Sequence, residues 1–308
     1  MNFFQDTHLK PSTYKTYNVQ LNTWLSLFPS DQANIVFLYT HPNYSVVTLR
    51  KHLASKNQNH PRMVNSYIKP VMAAMHANRS LFLQAKETDI QSSLQRWKEM
   101  LHQTYQLAFA YRIHQEPSSG QAEKSGVSLK MDDLIHGRDA LQDGSINKLL
   151  IGFYTHIPPV RADYFATQIV RDEDPTEPNY IRHTSKGSHL VLTDFKTSAL
   201  YKEIRHDLPP ELHRQLTLSL AAAPRSYLFV NKNGQPFTRN GFTRWAITRL
   251  HDIFKKDLTL TMLRHIYISS LDLNSSPAHL IEIGLKMGHH VTQQMLYKWK
   301  ENPDLEKL

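Results

Sequence analysis

The residues in this sequence best equipped for chemistry lie between Arg264 and Tyr297. An Arg-His pair, Arg264-His265, sits inside an apolar, helix-like run. Gly288-His289-His290 follows, and Tyr297 stands eight residues after His289, with Lys298 and Lys300 beside it. Arginine is the side chain best shaped to grip a phosphate through two parallel N–H bonds. A tyrosine hydroxyl can act as a covalent nucleophile. Its ordinary pKa near 10 leaves only roughly 0.1% ionised at neutral pH, so it needs cationic or basic neighbours. An arginine, histidines and a phenol on short helices joined by turns are the parts of an attack on a phosphate ester.

The order Arg-His, then Gly-His, then Tyr resembles the C-terminal half of the tyrosine recombinases, integrases that break and rejoin DNA through a phosphotyrosine. The wording of Leu263 to Ser269 is similar to integrases of mobile elements and large DNA viruses. The resemblance covers the catalytic half of the chain, from about residue 130 onward. It implies a catalytic set of Arg161, Lys196, Arg264, His289 and Tyr297. Arg161 and Arg264 would hold the scissile phosphate, and His289 would donate a hydrogen bond to it, with His290 as understudy. Tyr297 would attack the phosphorus. A lysine on a β-hairpin turn protonates the leaving 5′-oxygen in the family. Lys196, in a Lys-Thr after a strand-like run, is expected in that role, with Lys186 and Lys202 as competitors.

Three departures accompany the resemblance. The family usually reads His-x-x-Arg-His, and this chain has Thr261 at the first position, where a hydroxyl cannot move protons near neutral pH. A variant lineage, a proton path through water and a crippled enzyme all remain open. The family often carries Glu three residues after the first arginine. Here Tyr164 stands there, and Asp163 is expected to buttress Arg161 instead. The spacing from His289 to Tyr297 is one residue short of the common nine. His265 matches the pattern as a hydrogen-bonded helix histidine. The implied activity is site-specific cleavage and rejoining through a 3′-phosphotyrosine, with no cofactor, metal or ATP. The implied partners are double-stranded DNA and, during synapsis, a tetramer of this chain. Relaxation of DNA in the manner of a type IB topoisomerase is the nearest alternative. A DNA-binding protein with a decayed active site is another, and Thr261 is its sign.

Composition agrees with a polyanionic partner. Lys plus Arg number 36 against 27 Asp plus Glu, a formal charge of +9; such a balance favours nucleic acid without specifying a fold. The 308 residues suffice for two ordinary domains. There is no cysteine, which excludes disulfides and thiolate metal sites. No apolar run approaches the roughly 20 residues of a membrane span, and the first residues lack a signal peptide's apolar segment. The expectation is an intracellular protein located with its DNA, in the nucleus or cytoplasm of a host. No P-loop, paired-carboxylate metal motif or dinucleotide fingerprint appears.

The elements that must position these residues are mainly helical. An all-helical first domain is expected over residues 1–114. Its helices begin near Ser12 or Thr13 with Tyr14, Tyr17, Leu21, Trp24, Leu25 and Phe28 on one face, and continue over Tyr44 to Ser55, Met63 to Ala77 and Thr88 to Ile113. The last carries Leu94, Trp97, Leu101, Tyr105 and Ala108 as its stripe. By the resemblance this domain would clasp DNA, with Arg50, Lys51, Lys56, Arg62 and Lys69 facing phosphates. The polar stretch 115–126 reads as a linker. The catalytic domain follows over 127–308: helices from Met131, Ile146, Glu211 and Arg239, a turn at Lys186-Gly187 before the strand Leu190–Leu192, a short strand near Tyr227 to Val230, and a helix opened by Pro277 and stopped at Gly288. The fold class is mainly α with a small antiparallel sheet, α+β.

Overall fold

The computed structural model of the chain describes residues 4, 9, 11–58, 60–78, 87–113, 123–272, 276–290 and 297. The chain divides into two compact units, Met1–Ile113 and His114–Leu308. Residues 114–122, most of the expected linker, lie outside the described residues, as do Lys298 and Lys300.

The first unit is helical among its described residues: α1 (Pro11–Ser26), α2 (Ile35–Thr40), α3 (Pro42–Ser55), α4 (Pro61–Ala77) and α5 (Glu87–Ile113). The six apolar residues expected on the face of α1 all enter the core, but the helix runs from Pro11 to Ser26, so Ser12 and Thr13 lie inside it and do not cap it, and Phe28 packs from beyond its end. Trp24 and Trp97 form the centre, fully buried and edge to face at 6.0 Å. Each indole N–H donates to a carbonyl, Trp24 to Tyr67 (2.9 Å) and Trp97 to Tyr39 (3.1 Å), which removes the cost of burying it. The stripe of α5 departs from expectation: Ser93, Trp97, Met100 and Thr104 are buried, whereas Tyr105 is exposed and stacks on Phe109. Thr104 can go inward because its hydroxyl accepts from Asn65 and donates to Met100 O.

The second unit opens with a short 3-10 helix, Ser125–Ser128, and continues through α6 (Met131–Asp139), α7 (Ile146–Thr155), strands β1 (Gln168–Val170), β2 (Asn179–His183) and β3 (Ser188–Leu192), α8 (Ser198–Tyr201), β4 (Ile204–Asp207), α9 (Pro210–Ala222), α10 (Arg239–Phe254), α11 (Leu260–Ser269) and α12 (Pro277–Lys286). The four strands lie in sequence order. β2, β3 and β4 are antiparallel as expected, and β1 is added parallel to β2. The strand expected near Tyr227 to Val230 is reduced to two isolated bridges, Gln168 with Tyr227 and Val230 with Pro236. The core of this unit is built on α7, whose Leu149 to Tyr154 are buried in an unbroken run and which packs against α6, α9 and α11. Ser125–Ser128 is already part of this packing: a Cβ on Gly126 would lie 2.7 Å from the Asp257 carbonyl.

Candidate active site

Arg264 is the hub. It leaves the middle of α11 and is fully buried. Nη1 donates to Pro159 O at 2.6 Å, and both terminal nitrogens reach Met287 O at 3.4 Å. One guanidinium thus ties the segment after α7 to the end of α12. Its Nη2 also donates to His289 Nδ1 at 3.0 Å. Arginine has no acceptor, so the imidazole accepts at Nδ1 and carries its neutral-form proton on Nε2. That Nε2 is buried without a partner, and so is Arg264 Nε. Two unmatched buried donors on adjoining side chains are costly, and a bound ligand is one source of the acceptor they lack.

Electrostatics fixes the protonation states. Burial, then Arg264, then Arg161 lower His289 to about 3, so at neutral pH it is a neutral hydrogen-bond donor. Burial and the Arg161 charge lower Arg264 to about 10, which leaves it cationic. Arg161, half-buried in the segment after α7, is therefore felt by both. Its backbone is fixed on two sides: Tyr154 donates its hydroxyl to Arg161 O at 2.8 Å, and Arg161 N–H donates to Asp163 Oδ2 at 3.2 Å.

Tyr297 lies against this group. Its ring stacks on His265 at 4.5 Å and on His289 at 5.6 Å, with the Arg264 guanidinium 5.5 Å from its centroid. His265 Nδ1–H donates to Tyr297 O at 2.6 Å. The structure thus brings Arg264, His265, His289 and Tyr297 into direct contact, with Arg161 beside them.

The end of α12 explains how His289 is aimed. Gly288 N–H donates to Leu285 O and His289 N–H to Gly284 O, the paired bonds of a helix stop closed by a left-handed residue; Gly288 has φ +66°. Thr197 Oγ donates to Gly288 O at 2.7 Å, and a Cβ on Gly288 would meet Phe195 and Ile204 at 3.2 Å. The loop carrying Lys196 is therefore docked on the residue preceding His289, and Lys196 itself is exposed.

The remaining expected residues fall elsewhere. Lys186 occupies the tight turn between β2 and β3, held by Thr184 N–H to Gly187 O at 3.0 Å. Thr261 is exposed in the first turn of α11, one turn before Arg264. His290 is exposed just past His289. Asp163 is nearly fully buried and pairs with Arg239, a residue the sequence reading passed over. Asn179 was also passed over. Its Nδ2 donates to Asp163 O (3.1 Å) and Asp194 O (2.9 Å), and its Oδ1 accepts from Thr193 N (3.0 Å) and Asp194 N (2.8 Å). No local pattern marks it, because all its partners are distant in sequence. In the first unit Arg50, Lys51, Lys56, Arg62 and Lys69 are all exposed on α3, α4 and the turn between them. Among the described residues, no group of three or more His, Cys, Asp or Glu could hold a metal ion, and no helix is long and apolar enough to cross a membrane.

No protein-family model and no curated protein matches the sequence. Solved structures do match. XerA recombinase is 17% identical over 97% of this chain and 90% of its own, with a TM-score of 0.40. XerH site-specific recombinase bound to difH substrate, a pre-cleavage complex, is 12% identical over 100% and 98%, with a TM-score of 0.41. A lambda integrase dimer (residues 75–356) bound to a COC′ core site is 10% identical over 97% and 92%, with a TM-score of 0.56. That last likeness, at so low an identity, is one of fold, and it spans both units of the chain. The second unit, mainly helical with its small mixed sheet, has the catalytic fold of the tyrosine recombinases.

Proposed function

We propose that this protein is a site-specific DNA recombinase of the integrase kind that cleaves and rejoins strands through a 3′-phosphotyrosine. The observation that carries the reading is the pair of unmatched buried donors, His289 Nε2 and Arg264 Nε, beside a phenol stacked on the same imidazole. A phosphodiester oxygen supplies the acceptor both lack. Arg161 and Arg264 hold the non-bridging oxygens as negative charge grows on phosphorus, and preorganised cations of this kind are usually the largest catalytic term. Tyr297 Oη attacks in line, the bond to the 5′-oxygen breaks, and a lysine delivers the proton that oxygen needs. A 5′-hydroxyl from a second DNA end then attacks the phosphotyrosine, so the bond energy is kept without ATP.

Lys196 and Lys186 are the first candidates for that lysine, ahead of Lys202. Lys196 is favoured by the docking of its loop on Gly288. Lys186 is favoured by its place on the tight turn between two antiparallel strands, the setting the resemblance implies. The basic residues of α3 and α4 are the proposed phosphate contacts of the first unit, with a tetramer on DNA as the working assembly and a mobile element or large DNA virus as the setting.

The deciding experiment traps a covalent adduct between the protein and a nicked duplex site after denaturation. Wild type is expected to form it; Tyr297→Phe is expected to form none while binding DNA with nearly unchanged affinity, since only one hydroxyl is lost. DNA binding by wild type without any adduct would leave a binding protein with a decayed site.

A further inference from the structure

Asp163 and Arg239 are unexplained by the reaction so far. The Asp163 side chain is only 4% exposed, and its two oxygens are divided between Arg161 N–H and Arg239 Nη1. Arg239 is the first residue of α10, capped by Thr238. A cation at that end of a helix meets the positive pole of its dipole, so helix formation does not account for it. Its guanidinium lies over the Phe165 ring, 4.7 Å from the centroid, which fixes its approach to Asp163.

We propose that Arg239 is a positioning residue for the phosphate-gripping Arg161 and acts through Asp163. The inference rests on the reading of the site as phosphodiester-cleaving. Asp163 supplies the acceptor that orients the Arg161 main chain. As an unmatched carboxylate two residues from that arginine, it would also repel the phosphate and draw the Arg161 guanidinium away from it. Arg239 cancels that charge, so the acceptor is kept and the repulsion removed. The electrostatic part is large because the carboxylate is buried, where charges are poorly screened.

Three variants and one altered substrate separate the two roles. Arg239→Met keeps the stem over Phe165 and deletes the charge; its adduct formation should fall about 10- to 100-fold, less than the roughly 100- to 1,000-fold of losing a direct preorganised contact, because Arg239 acts through Asp163. On a duplex whose scissile phosphate is a neutral methylphosphonate, the deficit relative to wild type should shrink to about threefold or less, because a carboxylate repels an anion and not a neutral ester. Arg239→Met with Asp163→Asn restores neutrality and keeps an oxygen for Arg161 N–H, so it should cleave within about threefold of wild type. Arg239→Met with Asp163→Ala is also neutral but lacks the acceptor, and should lose about tenfold or more. The two double variants bury no unmatched charge, so they carry the test if the single variant does not fold. Equal rates in the two double variants, a wild-type rate in folded Arg239→Met, or an equal deficit on both substrates would overturn the proposal. Absence of any adduct from wild type would instead overturn the reading on which it rests.

Discussion

His289 is held neutral by the same contacts that aim it. Its proton affinity is depressed to about 3 by burial and by Arg264 and Arg161, and buried His206 is depressed to about 4, chiefly by burial. Both imidazoles start from 6.5 in the unfolded chain. Between 6.5 and about 4.5 the unfolded chain therefore takes up protons that the folded chain refuses. Stability is fully present above that window and is lost as pH falls through it, by up to about 1.4 kcal/mol per pH unit for each imidazole. The unfolding temperature should drop between pH 7 and 4.5, above the range where carboxylates dominate, and the double variant His206→Gln, His289→Gln should flatten that drop. An equally steep profile in the double variant would sink this account. The identity of the lysine is also tested at this scale. Replacing the bridging 5′-oxygen of the DNA by sulfur makes the leaving group a thiolate, which needs little protonation because a thiol's pKa is near 8.5. Of Lys196→Ala and Lys186→Ala, the variant that is slow on oxygen and recovers on sulfur marks the general acid. If neither recovers, Lys202 is next, and Tyr297→Phe should stay inactive on both substrates.

At the scale of elements, the stop of α12 is the joint through which the sheet reaches the site. Gly288 is left-handed and crowded by Phe195, Thr197 and Ile204, whereas Gly234 is left-handed with nothing within 4 Å of its missing Cβ. Gly234→Ala should therefore cost only the backbone term, about 1–2 kcal/mol. Gly288→Ala pays that term and must also push aside Phe195 and Thr197, in the loop that carries Lys196, and Ile204 of β4. Cleavage by Gly288→Ala should fall well beyond what its stability loss explains, and cleavage by Gly234→Ala should not change. Comparing unfolding midpoints with adduct rates for the two variants checks this; parallel behaviour would mean the α12 stop has no special hold on the site. Asn179 belongs to the same frame, since one saturated amide ties the Arg161 segment to the Lys196 loop.

For the whole molecule, the excess of basic residues and the exposed cations of α3 and α4 predict strongly salt-dependent binding to duplex DNA. Each phosphate neutralised contributes about −0.9 to the slope of log K against log salt, so a handful of contacts gives a slope steeper than about −4. Replacing Arg50, Lys51 and Lys56 together should make that slope shallower by about 2.7 if each neutralises one phosphate. An unchanged slope would move the proposed phosphate contacts of the first unit to other residues.

The sequence by itself determined the helices with strong local signals and the residue types of the site. Pro277 opening a helix, Gly288 stopping it and the apolar face of α1 are all decided within a few residues, where capping and periodicity act. The order Arg264, His289, Tyr297 was legible because those residues fall on one stretch of chain. What only the tertiary structure decided depends on partners far apart in sequence. Tyr105 turns outward because Thr104 can hydrogen-bond inside, and Tyr227 to Val230 meets Gln168 and Pro236 in isolated bridges in place of a strand. Arg239 matters through Asp163, 76 residues away. His289 is a neutral donor because burial, then Arg264 and Arg161, keep it unprotonated, while Arg264 takes its other nitrogen. Residue type is written locally, but burial, protonation and unmatched hydrogen bonds come into being when distant segments close around one another.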